Sequence, residues 1–371
     1  MNHIFIEPLD VWLFRDGRPF AAGSDHRAES LFPPFPTTTL GAIRRRELVR
    51  NNFDFSESDR DKSKEKAKKY VGEPVRMDAP NNLNGLTLRG PFVTRRENGS
   101  YVRYHPQPAD ACKQAGELLP MAKPSRFKSG VQAGTPSGRF LPLGLGMDYE
   151  KEGEPLWLSE PALKDYLKGQ PVNGVEANDL FMREDRIGIG MNNVTYTVSN
   201  GALYEVQFIR PRKDVGLSMV MDGYDWASVP EGWLQLGGES RAAMYQTIGT
   251  DKIDNWPTQA KQLLPARFKV YFATPAYFSG GWQPKTGSWK DFFGDGVDLI
   301  SAAIGRYTSI GGFDLAEAPG SAGAHRPTRR FVPAGSVYYF ENKSNSASLL
   351  KDSLTEFGGE FGLGQILIEE W

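Results

Sequence analysis

The stretch LGGESRAAMYQTI, at residues 236–248, has a counterpart at the end of the chain, FGGEFGLGQILI at residues 357–368. Each stretch places Gly-Gly-Glu before a run that is rich in strand-forming residues. A second pair of similar stretches opens the two halves: FIEP at 5–8 and FATP at 272–275 both have proline three residues after phenylalanine. These pairs predict an internal duplication, in which each half runs from a Phe-x-x-Pro strand to a Gly-Gly-Glu loop and a last strand.

The duplication predicts two domains, at residues 1–250 and 251–371, because a chain of 371 residues has the usual length of two domains. The first half is longer, and its additional residues are assigned to an insertion around 54–180. Mixed strands with few helices are typical of an α+β sandwich, of which the ferredoxin-like fold is a common form. We therefore predict an α+β protein with two tandem ferredoxin-like domains and a large insertion in the first.

Composition excludes several classes of protein. The single cysteine, Cys112, rules out a disulfide framework or a cysteine-based zinc site within the chain and fits a reducing, cytoplasmic setting. The opening MNHIFIEPLD does not have the pattern of a signal peptide, and no run approaches the roughly 18 apolar residues of a membrane span. The net charge of −1 differs from that of general nucleic-acid binders, so RNA contact would depend on local arginine clusters.

Arginines occur in several clusters, and the guanidinium group suits bidentate contacts with phosphate. In RDGRPF, at 15–20, Asp-Gly predicts a turn that aims Arg15 and Arg18 at one spot, with Gly17 supplying a positive φ. Ordinary solvated surface is the alternative explanation of each cluster. The arginines considered as phosphate ligands are Arg15, Arg18, Arg44, Arg45, Arg46, Arg95, Arg96, Arg183, Arg186, Arg241, Arg329 and Arg330.

The secondary structure around these arginines can also be predicted. Residues 3–14 are predicted as one strand, and FPPFPTTTLGAIRRREL predicts a threonine-capped helix that carries the arginines at 44–46. Leu40, Ile43 and Leu48 fall roughly on one face of this helix, which predicts that they are buried. FVTRRENGSYVRYHP, at 92–106, predicts a hairpin around its Asn-Gly pair. The mixed-charge run at 56–69 predicts either a solvated helix or a disordered loop.

The sequence does not contain a recognisable catalytic centre. Only four histidines occur, and none pairs with another at a metal-ligating spacing. The Walker A, nucleophile-elbow and dinucleotide-binding patterns are incomplete or absent. His26, flanked by an acid and a base, is the one candidate general base, and an exposed loop histidine is the alternative. No metal or other cofactor is predicted.

The last third of the chain is rich in glycine, at 308–314, 319–331 and 358–364, which predicts loops with accessible backbone N–H groups. Backbone N–H groups beside glycine can approach and bind a phosphate, and Tyr307, Phe313 and Phe331 are candidates for stacking on bases. The alternative is that the glycines only permit a tightly packed turn. The candidate phosphate-binding glycines are Gly311, Gly312, Gly358, Gly359, Gly362 and Gly364.

Several of these motifs, taken in order, resemble a known family. The family is the third subunit of the Cmr complex, a RAMP-superfamily protein of type III-B CRISPR effectors. The resemblance covers both ends and the middle of the chain, whereas residues 54–85 and 107–180 match nothing in it. The motifs that resemble the family are EPLDVWLFRDGRPF, SLFPPFPTTTLGAIR, EDRIGIGMNN, NGALYEVQFIR, LGGESRAAM, RRFVPAGSVYYF and GGEFGLGQILIEEW.

The resemblance implies tandem ferredoxin-like, RRM-like RAMP domains with no enzymatic activity of their own. It implies that the chain binds the repeat-derived 5′ handle of the crRNA, caps that end of the complex, and docks on the large polymerase-like subunit and on the first backbone subunit. The arginines and glycines named above would then contact the handle. By the same resemblance, FVTRRENGSYVRY at 92–104 is our candidate for the thumb hairpin that separates handle from guide. Neither a membrane nor a small-molecule substrate is expected.

Two other functions remain open from the residues. One is a RAMP endoribonuclease that cuts repeat RNA with His26 as general base and without a divalent metal. The other is a protein-only scaffold of the complex, which large exposed apolar patches would favour.

Overall fold

A computed structural model describes most of the chain, namely residues 2–15, 27–56, 60–77, 81–120, 140–141, 143, 153–192, 194–224, 226, 229–258, 260–314, 324–344 and 346–371. Within these residues strands far outnumber helices, so the prediction of a mixed α and β protein with many strands is confirmed. The predicted site residues Gly17, Arg18 and His26 lie outside the described residues.

The helices of the described chain are mostly short: α1 (Pro36–Arg50), α2 (Arg60–Val71), α3 (Glu160–Leu167), α4 (Ala177–Leu180) and α5 (Lys290–Phe293). Its strands are β1 (Asn2–Pro8), β2 (Arg27–Ala28), β3 (Thr87–Glu97), β4 (Ser100–Pro106), β5 (Ala111–Gln114), β6 (Glu117–Pro120), β7 (Trp157–Ser159), β8 (Phe181–Met191), β9 (Val198–Pro211), β10 (Val215–Asp222), β11 (Glu231–Gln235), β12 (Ala242–Ile248), β13 (Arg267–Phe272), β14 (Val297–Ala303), β15 (Thr308–Asp314), β16 (Ala324–Phe331), β17 (Val337–Asn342) and β18 (Ile366–Glu370).

The chain divides into two compact units, each assembled from three segments. The predicted domain boundary after residue 250 lies next to a segment end. The segment 92–179, which we predicted as part of an insertion in the first domain, groups with the second unit. The first unit comprises Met1–Pro91, Leu180–Gly249 and Ser309–Arg329, and the second comprises Phe92–Asp179, Thr250–Thr308 and Arg330–Trp371.

The first unit is organised around β1, which pairs antiparallel with β10 on one side and with β12 on the other. The strand order is β11-β12-β1-β10-β3, and α1 lies between β1 and β3 in the chain. Ile4, Phe5 and Ile6 are all at most 1% exposed, so β1 is buried on both faces.

The prediction of one strand over residues 3–14 is wrong, because β1 ends at Pro8. Proline has no N–H to continue a ladder, and a bend follows at Leu9 and Asp10. The chain then makes a second, separate pairing, in which the backbones of Trp12 and Ile209 exchange hydrogen bonds of 2.9 and 2.8 Å. The break redirects residues 11–15 away from the central sheet and toward β9.

The predicted helix is confirmed as α1, with Pro36 at its first turn, where the missing N–H is tolerated. The predicted threonine cap is wrong: Phe35 occupies the cap position without a side-chain bond, and the Thr39 hydroxyl donates to the Pro36 carbonyl. Leu40 and Ile43 are buried, as their spacing predicts. The mixed-charge run at 56–69 contributes most of α2, which agrees with the helical alternative.

The second unit contains a four-stranded antiparallel sheet in the order β14-β17-β13-β18. Its core is aromatic; Phe268 and Phe340 stack at a centroid distance of 5.2 Å, with Trp289 and Phe293 beside them. The predicted hairpin at 92–106 is confirmed in this unit, where residues 93–97 of β3 pair with β4.

The turn of this hairpin has positive φ at both central residues, Asn98 (49°) and Gly99 (83°). Positive φ at both positions is the geometry that an Asn-Gly pair favours in two-residue hairpins.

A buried carboxylate ties three parts of the second unit together. Asp110 is fully buried and accepts hydrogen bonds from the hydroxyls of Tyr166 on α3, at 2.9 Å, and Tyr339 on β17, at 2.5 Å. Burial and the nearby carboxylate raise the pKa of both phenols, so both remain donors over the ordinary pH range. The sequence from 107 to 180, which resembled nothing, thus supplies a central polar contact of this unit.

Candidate nucleic-acid interface

A groove of about 430 Å³ in the first unit brings together three segments that are distant in sequence. We call it the α1 groove. Residues 13–15, which follow the break after β1, form one side, the first half of α1 forms another, and the Gly-Gly-Glu loop closes it. Its lining residues are Leu13, Phe14, Arg15, Thr38, Gly41, Ala42, Arg45, Gln235, Gly237, Gly238 and Ser240.

The Gly-Gly-Glu loop approaches residue 13 so closely that only glycine fits there. The Gly238 N–H donates to the Leu13 carbonyl at 2.7 Å, and a Cβ on Gly237, whose φ is +95°, would lie 2.6 Å from that carbonyl oxygen. Glu239 and Ser240, which follow, also have positive φ, at 53° and 51°. Positive φ at non-glycine residues is a strained conformation that is often found at functional sites, and here it occurs in the loop that closes the groove.

The charge of the α1 groove suits an anionic ligand. Arg15 and Arg45 both line it, and none of its described lining residues is acidic. Arg45 is exposed, and its guanidinium lies over the Phe55 ring at 5.0 Å, which orients it by a cation–π contact. The structure thus places two of the predicted arginines at one groove. A volume of this size accommodates a group such as a single nucleotide.

The other two arginines of the cluster on α1 point elsewhere. Arg44 donates to the carbonyls of Gly72 and Glu73, at 3.0 and 2.9 Å, and thereby fastens the end of α2 to α1. Burial lowers the pKa of Arg44, although the nearby Tyr224 and Glu73 counteract it. Arg46 lies over the Tyr245 ring at 6.0 Å. Their contact with RNA stays a prediction, and the contacts present are structural ones.

Arg186 belongs to an ion-pair network that we did not predict from the sequence. It bonds Glu184 at 2.7 Å and Asp10 at 3.3 Å, and Arg210 bonds the same two carboxylates, at 2.5 and 2.9 Å. The hydrogen bond from Arg210 does most to lower the pKa of both carboxyls; burial opposes it, and the hydrogen bond from Arg186 helps to keep both pKa values below the ordinary value. Because the two arginines are matched by two carboxylates, this network offers little net charge to a phosphate.

Arg183 and Arg241 also have defined partners within the first unit. Arg183 donates to the Ser30 carbonyl and to the Gln207 side chain, at 2.9 and 2.8 Å. Arg241 bonds Glu239 at 2.8 Å and lies over the Phe208 ring at 4.8 Å. Phosphate binding by these two residues stays a prediction.

In the second unit, Arg95 and Arg96 lie on β3 of the confirmed hairpin. Arg95 donates to the Asp179 carbonyl, lies 3.9 Å from the Glu97 carboxylate, and covers the Tyr104 ring at 5.3 Å. Arg96 pairs across the strands with Tyr101. Because Thr94 and Tyr104 of this hairpin are buried, most of it is part of a sheet, and its role as the thumb stays a prediction.

Residues 308–314 and 324–331 form a strand pair, where we predicted glycine-rich loops. Gly311 and Gly312 lie inside β15, which pairs with β16, because Thr, Ser, Ile and Phe around them favour extended backbone. Arg329 and Arg330 are exposed on β16, and Arg330 covers the Tyr307 ring at 4.6 Å.

Of the aromatic residues expected to stack on bases, Phe331 is 3% exposed and packs against Tyr277, so it does not present a ring to a base.

The C-terminal glycines lie in a tightly packed turn. The N–H groups of Gly362 and Gly364 donate within the chain, to the Gly359 and Pro275 carbonyls. A Cβ on Gly358 would meet the Phe361 ring at 2.5 Å, and one on Gly359 would meet the Ser353 hydroxyl at 2.0 Å. The geometry favours the packing alternative for these four residues, and their contact with RNA stays a prediction.

Both histidines whose side chains are described, His3 and His105, are buried in the core. Burial lowers the pKa of His105, so that its imidazole is neutral at pH 7. Among the described residues, no three histidine, cysteine or acidic side chains are grouped as a metal site would require. No helix of the described chain is both long and apolar enough to span a membrane.

The chain is similar to chains of solved CRISPR effector structures. Among solved structures, a chain of the Type III-B Cmr-beta bound to cognate target RNA and AMPPnP is similar with a TM-score of 0.46 and 16% identity, over 91% of this chain and 86% of that one. A chain of the Type III-B Cmr-beta bound to cognate target RNA gives a TM-score of 0.46 and 18% identity over the same shares. No protein with curated annotation matches this chain.

The sequence model of a family described as CRISPR-associated protein, Cas_Cmr3, matches residues 4–371. This match agrees with the resemblance that the motifs showed. Because it extends over almost all of the 371 residues, the chain belongs to the Cas_Cmr3 family of CRISPR-associated proteins.

Proposed function

We propose that this chain is a non-catalytic RNA-binding subunit of a type III-B Cmr effector complex. In this proposal it binds and caps the repeat-derived 5′ handle of the crRNA and docks on the large polymerase-like subunit and the first backbone subunit. The observation that carries the RNA-binding part is the α1 groove, where Arg15 and Arg45 converge without a carboxylate among the described lining residues. The burial of His3 and His105 removes these two as general bases on RNA, so the ribonuclease alternative depends on His26.

The strand orders support the finer proposal of two ferredoxin-like domains. In the first unit, four strands lie side by side in the order β12-β1-β10-β3. In the second unit, the order is β18-β13-β17-β14. In both orders the last strand along the chain lies beside the first, the first beside the third, and the third beside the second. This is the arrangement that a βαββαβ unit of the ferredoxin-like type produces. In the first unit α1 is the helix between the first two strands, and in the second the short α5 lies at that place.

A binding experiment tests the proposed function. The purified full chain, with and without the large subunit, is titrated against labelled RNA that carries either the 5′ handle or a scrambled one, and shift and cleavage are measured together. We expect a handle-dependent shift, tightest with the large subunit present, and intact RNA. Arg45→Ala should weaken binding about tenfold and lower the salt slope by about one, as for the loss of one phosphate contact.

Arg50→Ala is the matched control, because Arg50 lies on the same helix but does not line the groove. Equal binding by the Arg45→Ala variant and the parent at every salt concentration would contradict the assignment of the groove. Cleavage of the RNA would instead favour the ribonuclease.

A further inference from the structure

A cavity of about 370 Å³ lies within the second unit. We call it the Arg103 cavity. The start of β4, the first residues of α3 and the loop 250–255 line it. The Tyr101 N–H donates to the Lys252 carbonyl at 2.7 Å and so fastens this loop to β4. None of the lining residues is among the arginines and glycines that we predicted to contact RNA, so the cavity needs an explanation of its own.

Arg103 lines this cavity, and part of its guanidinium has no hydrogen-bond acceptor. Arg103 is 2% exposed, its Nη1 donates to Glu160 Oε2 at 2.8 Å, and the rings of Phe92 and Trp256 lie against the guanidinium at 5.6 and 5.9 Å. Its Nε and Nη2 are buried and have no acceptor among the described residues. These two nitrogens lie on one edge of the planar guanidinium, an edge that can bind two neighbouring acceptor atoms at once. A buried donor without an acceptor costs free energy, so this edge is suited to a ligand.

The lining of the Arg103 cavity is more acidic than basic, in contrast to that of the α1 groove. Its acidic residues are Glu160, Asp251 and Asp254, and its basic residues are Arg103 and Lys252. Glu160 is bonded to Arg103, whereas both aspartates are exposed. A phosphate would be repelled by the aspartates. The ligand that fits is a neutral group with two neighbouring acceptors for Arg103 and with donors for the aspartates.

We propose that the Arg103 cavity binds a guanine base. Guanine carries O6 and N7 as neighbouring acceptors, the pair that arginine binds in a bidentate manner, and it carries donors at N1 and N2 on another edge. Arg103 bonds the O6 and N7 edge, and Asp251 and Asp254 accept from N1 and N2. Tyr101, which is partly exposed, lines the cavity and supplies a ring on which the base stacks. The volume of the cavity suits a base with its ribose.

The arrangement discriminates against adenine, which has an amino group where guanine has O6 and would therefore turn N–H groups toward those of Arg103. The base can belong to a free nucleoside or nucleotide or to single-stranded RNA, since all of these present the same edges when unpaired. The inference is independent of the proposed function, because it concerns a base in the second unit rather than a phosphate at the α1 groove.

The first test uses ligand analogues with the unaltered full chain, because substitution of the buried Arg103 would destabilise the fold. Isothermal titration calorimetry measures the binding of guanosine, adenosine, 7-deazaguanosine, which lacks N7, and inosine, which lacks the N2 amino group. We expect guanosine to bind about tenfold more tightly than each of the other three, because each of them loses a hydrogen bond to a charged side chain. Guanosine has no phosphate, so the arginines of the α1 groove do not contribute to its binding.

The second test removes the acceptors of the cavity in a double variant, Asp251→Ala with Asp254→Ala. Both side chains are exposed, so the variant should fold like the parent, which circular dichroism checks. It should bind guanosine about tenfold more weakly and no longer distinguish guanosine from inosine, because the partners of the N2 amino group are gone. Asp165→Ala is the matched control, since Asp165 is an exposed acid on α3 that does not line the cavity, and it should bind guanosine as the parent does.

A third measurement identifies the source of the base by titrating the RNAs UUGUU and UUAUU against the parent and the double variant. A preference for UUGUU that is lost in the double variant assigns the cavity to single-stranded RNA. Guanosine binding without such a preference assigns it to a free nucleoside or nucleotide.

Three results would overturn the proposal. They are equal affinity of the parent for guanosine and adenosine, no binding of either guanosine or UUGUU, and a preference for guanine that the double variant leaves unchanged. Handle binding at the α1 groove is tested separately with Arg45→Ala, so each proposal can fail while the other stands.

Discussion

Arg44 and Arg45 are consecutive on α1, yet they differ in what they contact. Arg44 turns inward to the carbonyls of Gly72 and Glu73, whereas Arg45 is exposed and lines the α1 groove. Consecutive residues on a helix are separated by about 100° around its axis, so one can fasten a neighbouring element while the next contacts a ligand. The sequence predicted a cluster of arginines at this place, but the assignment of a role to each needed the positions of α2 and of the Gly-Gly-Glu loop.

The two arginines predict effects of different size for alanine substitution on the free energy of unfolding. Arg44→Ala should lower the free energy of unfolding by about 2 kcal/mol, since two carbonyls lose charge-assisted hydrogen bonds. Arg45→Ala should change the free energy of unfolding by less than about 0.5 kcal/mol, as for an exposed side chain. Urea denaturation of both variants beside the parent measures the difference. Equal losses in the two variants would contradict these separate roles.

His105 predicts a pH dependence of the second unit. Burial lowers the pKa of its imidazole below the ordinary value of 6.5, so the unfolded chain binds a proton more readily than the folded one. Stability should therefore fall as the pH drops from 7 to 5. His105→Phe removes the titrating group in an aromatic setting beside Phe92 and Trp256, and it should show a smaller fall. Thermal unfolding at the two pH values gives the comparison, and an unchanged fall in the variant would refute the assignment.

Glu160, which lies beside His105, titrates in a separate pH range. Burial alone would raise the pKa of Glu160, but His105, Arg103 and Lys164 outweigh it and hold the pKa below its ordinary value of 4.5. Arg103 and Lys164 each lie 2.8 Å from the Glu160 carboxylate. A lowered pKa gives stability that is present above about pH 4.5 and is lost at more acidic pH. The fall between pH 7 and 5 therefore reports His105 rather than Glu160.

At the scale of elements, the turn that contains Gly358–Gly364 requires glycine for two reasons, the positive φ of the backbone and the close packing around it. Gly364 has φ of +61°, and a Cβ there would lie 2.7 Å from the Leu354 carbonyl oxygen. Gly281 also has a positive φ, of +94°, but a Cβ there would have no atom within 4 Å. The two positions share the backbone requirement and differ in the space around them.

Alanine substitution at these two glycines should separate the two effects. Gly281→Ala should cost about 1 kcal/mol from backbone strain alone. Gly364→Ala should cost more, about 3 kcal/mol, because the Leu354 backbone must also move. Chemical denaturation measures both, and similar costs at the two sites would show that the close contact at Gly364 does not matter.

The elements that the sequence predicted well are those fixed by local chemistry. The spacing of Leu40, Ile43 and Leu48 indicated α1, although the threonine cap predicted with it is absent, and the Asn98-Gly99 pair indicated its hairpin. The strand over 3–14 was overextended because the pattern of apolar residues continues through Pro8, although the pairing partner changes there. We predicted a loop at β15 because we gave its two glycines more weight than the strand-forming residues around them.

For the whole molecule, the motifs indicated the family, but no pattern in the sequence indicated the α1 groove. Residues 13–15, the start of α1 and the Gly-Gly-Glu loop meet only because β12 pairs with β1 and β9 pairs with Trp12. These are long-range pairings, and no local pattern encodes them. The division into units also had to come from the structure, because each unit combines segments from three parts of the chain.

This interleaving predicts that residues 251–371 do not fold by themselves. Within the second unit, Tyr339 donates to Asp110, and Tyr271 donates to the Pro106 carbonyl at 2.6 Å, so the C-terminal segments depend on the segment 92–179. A fragment of 251–371 should give no cooperative unfolding transition by circular dichroism, and co-expression with 92–179 should restore one. A cooperative transition of the isolated fragment would contradict the dependence.

The position of β18 has a consequence for synthesis of the chain. This strand, Ile366–Glu370, pairs with β13, Arg267–Phe272, so the second unit is incomplete until β18 has been synthesised. At about 5–20 residues per second, the roughly 90 residues between the two strands take about 5–20 seconds to synthesise. During that time one edge of β13 has no partner strand. The emergence of β18 from the ribosome is therefore the event that permits the second unit to close.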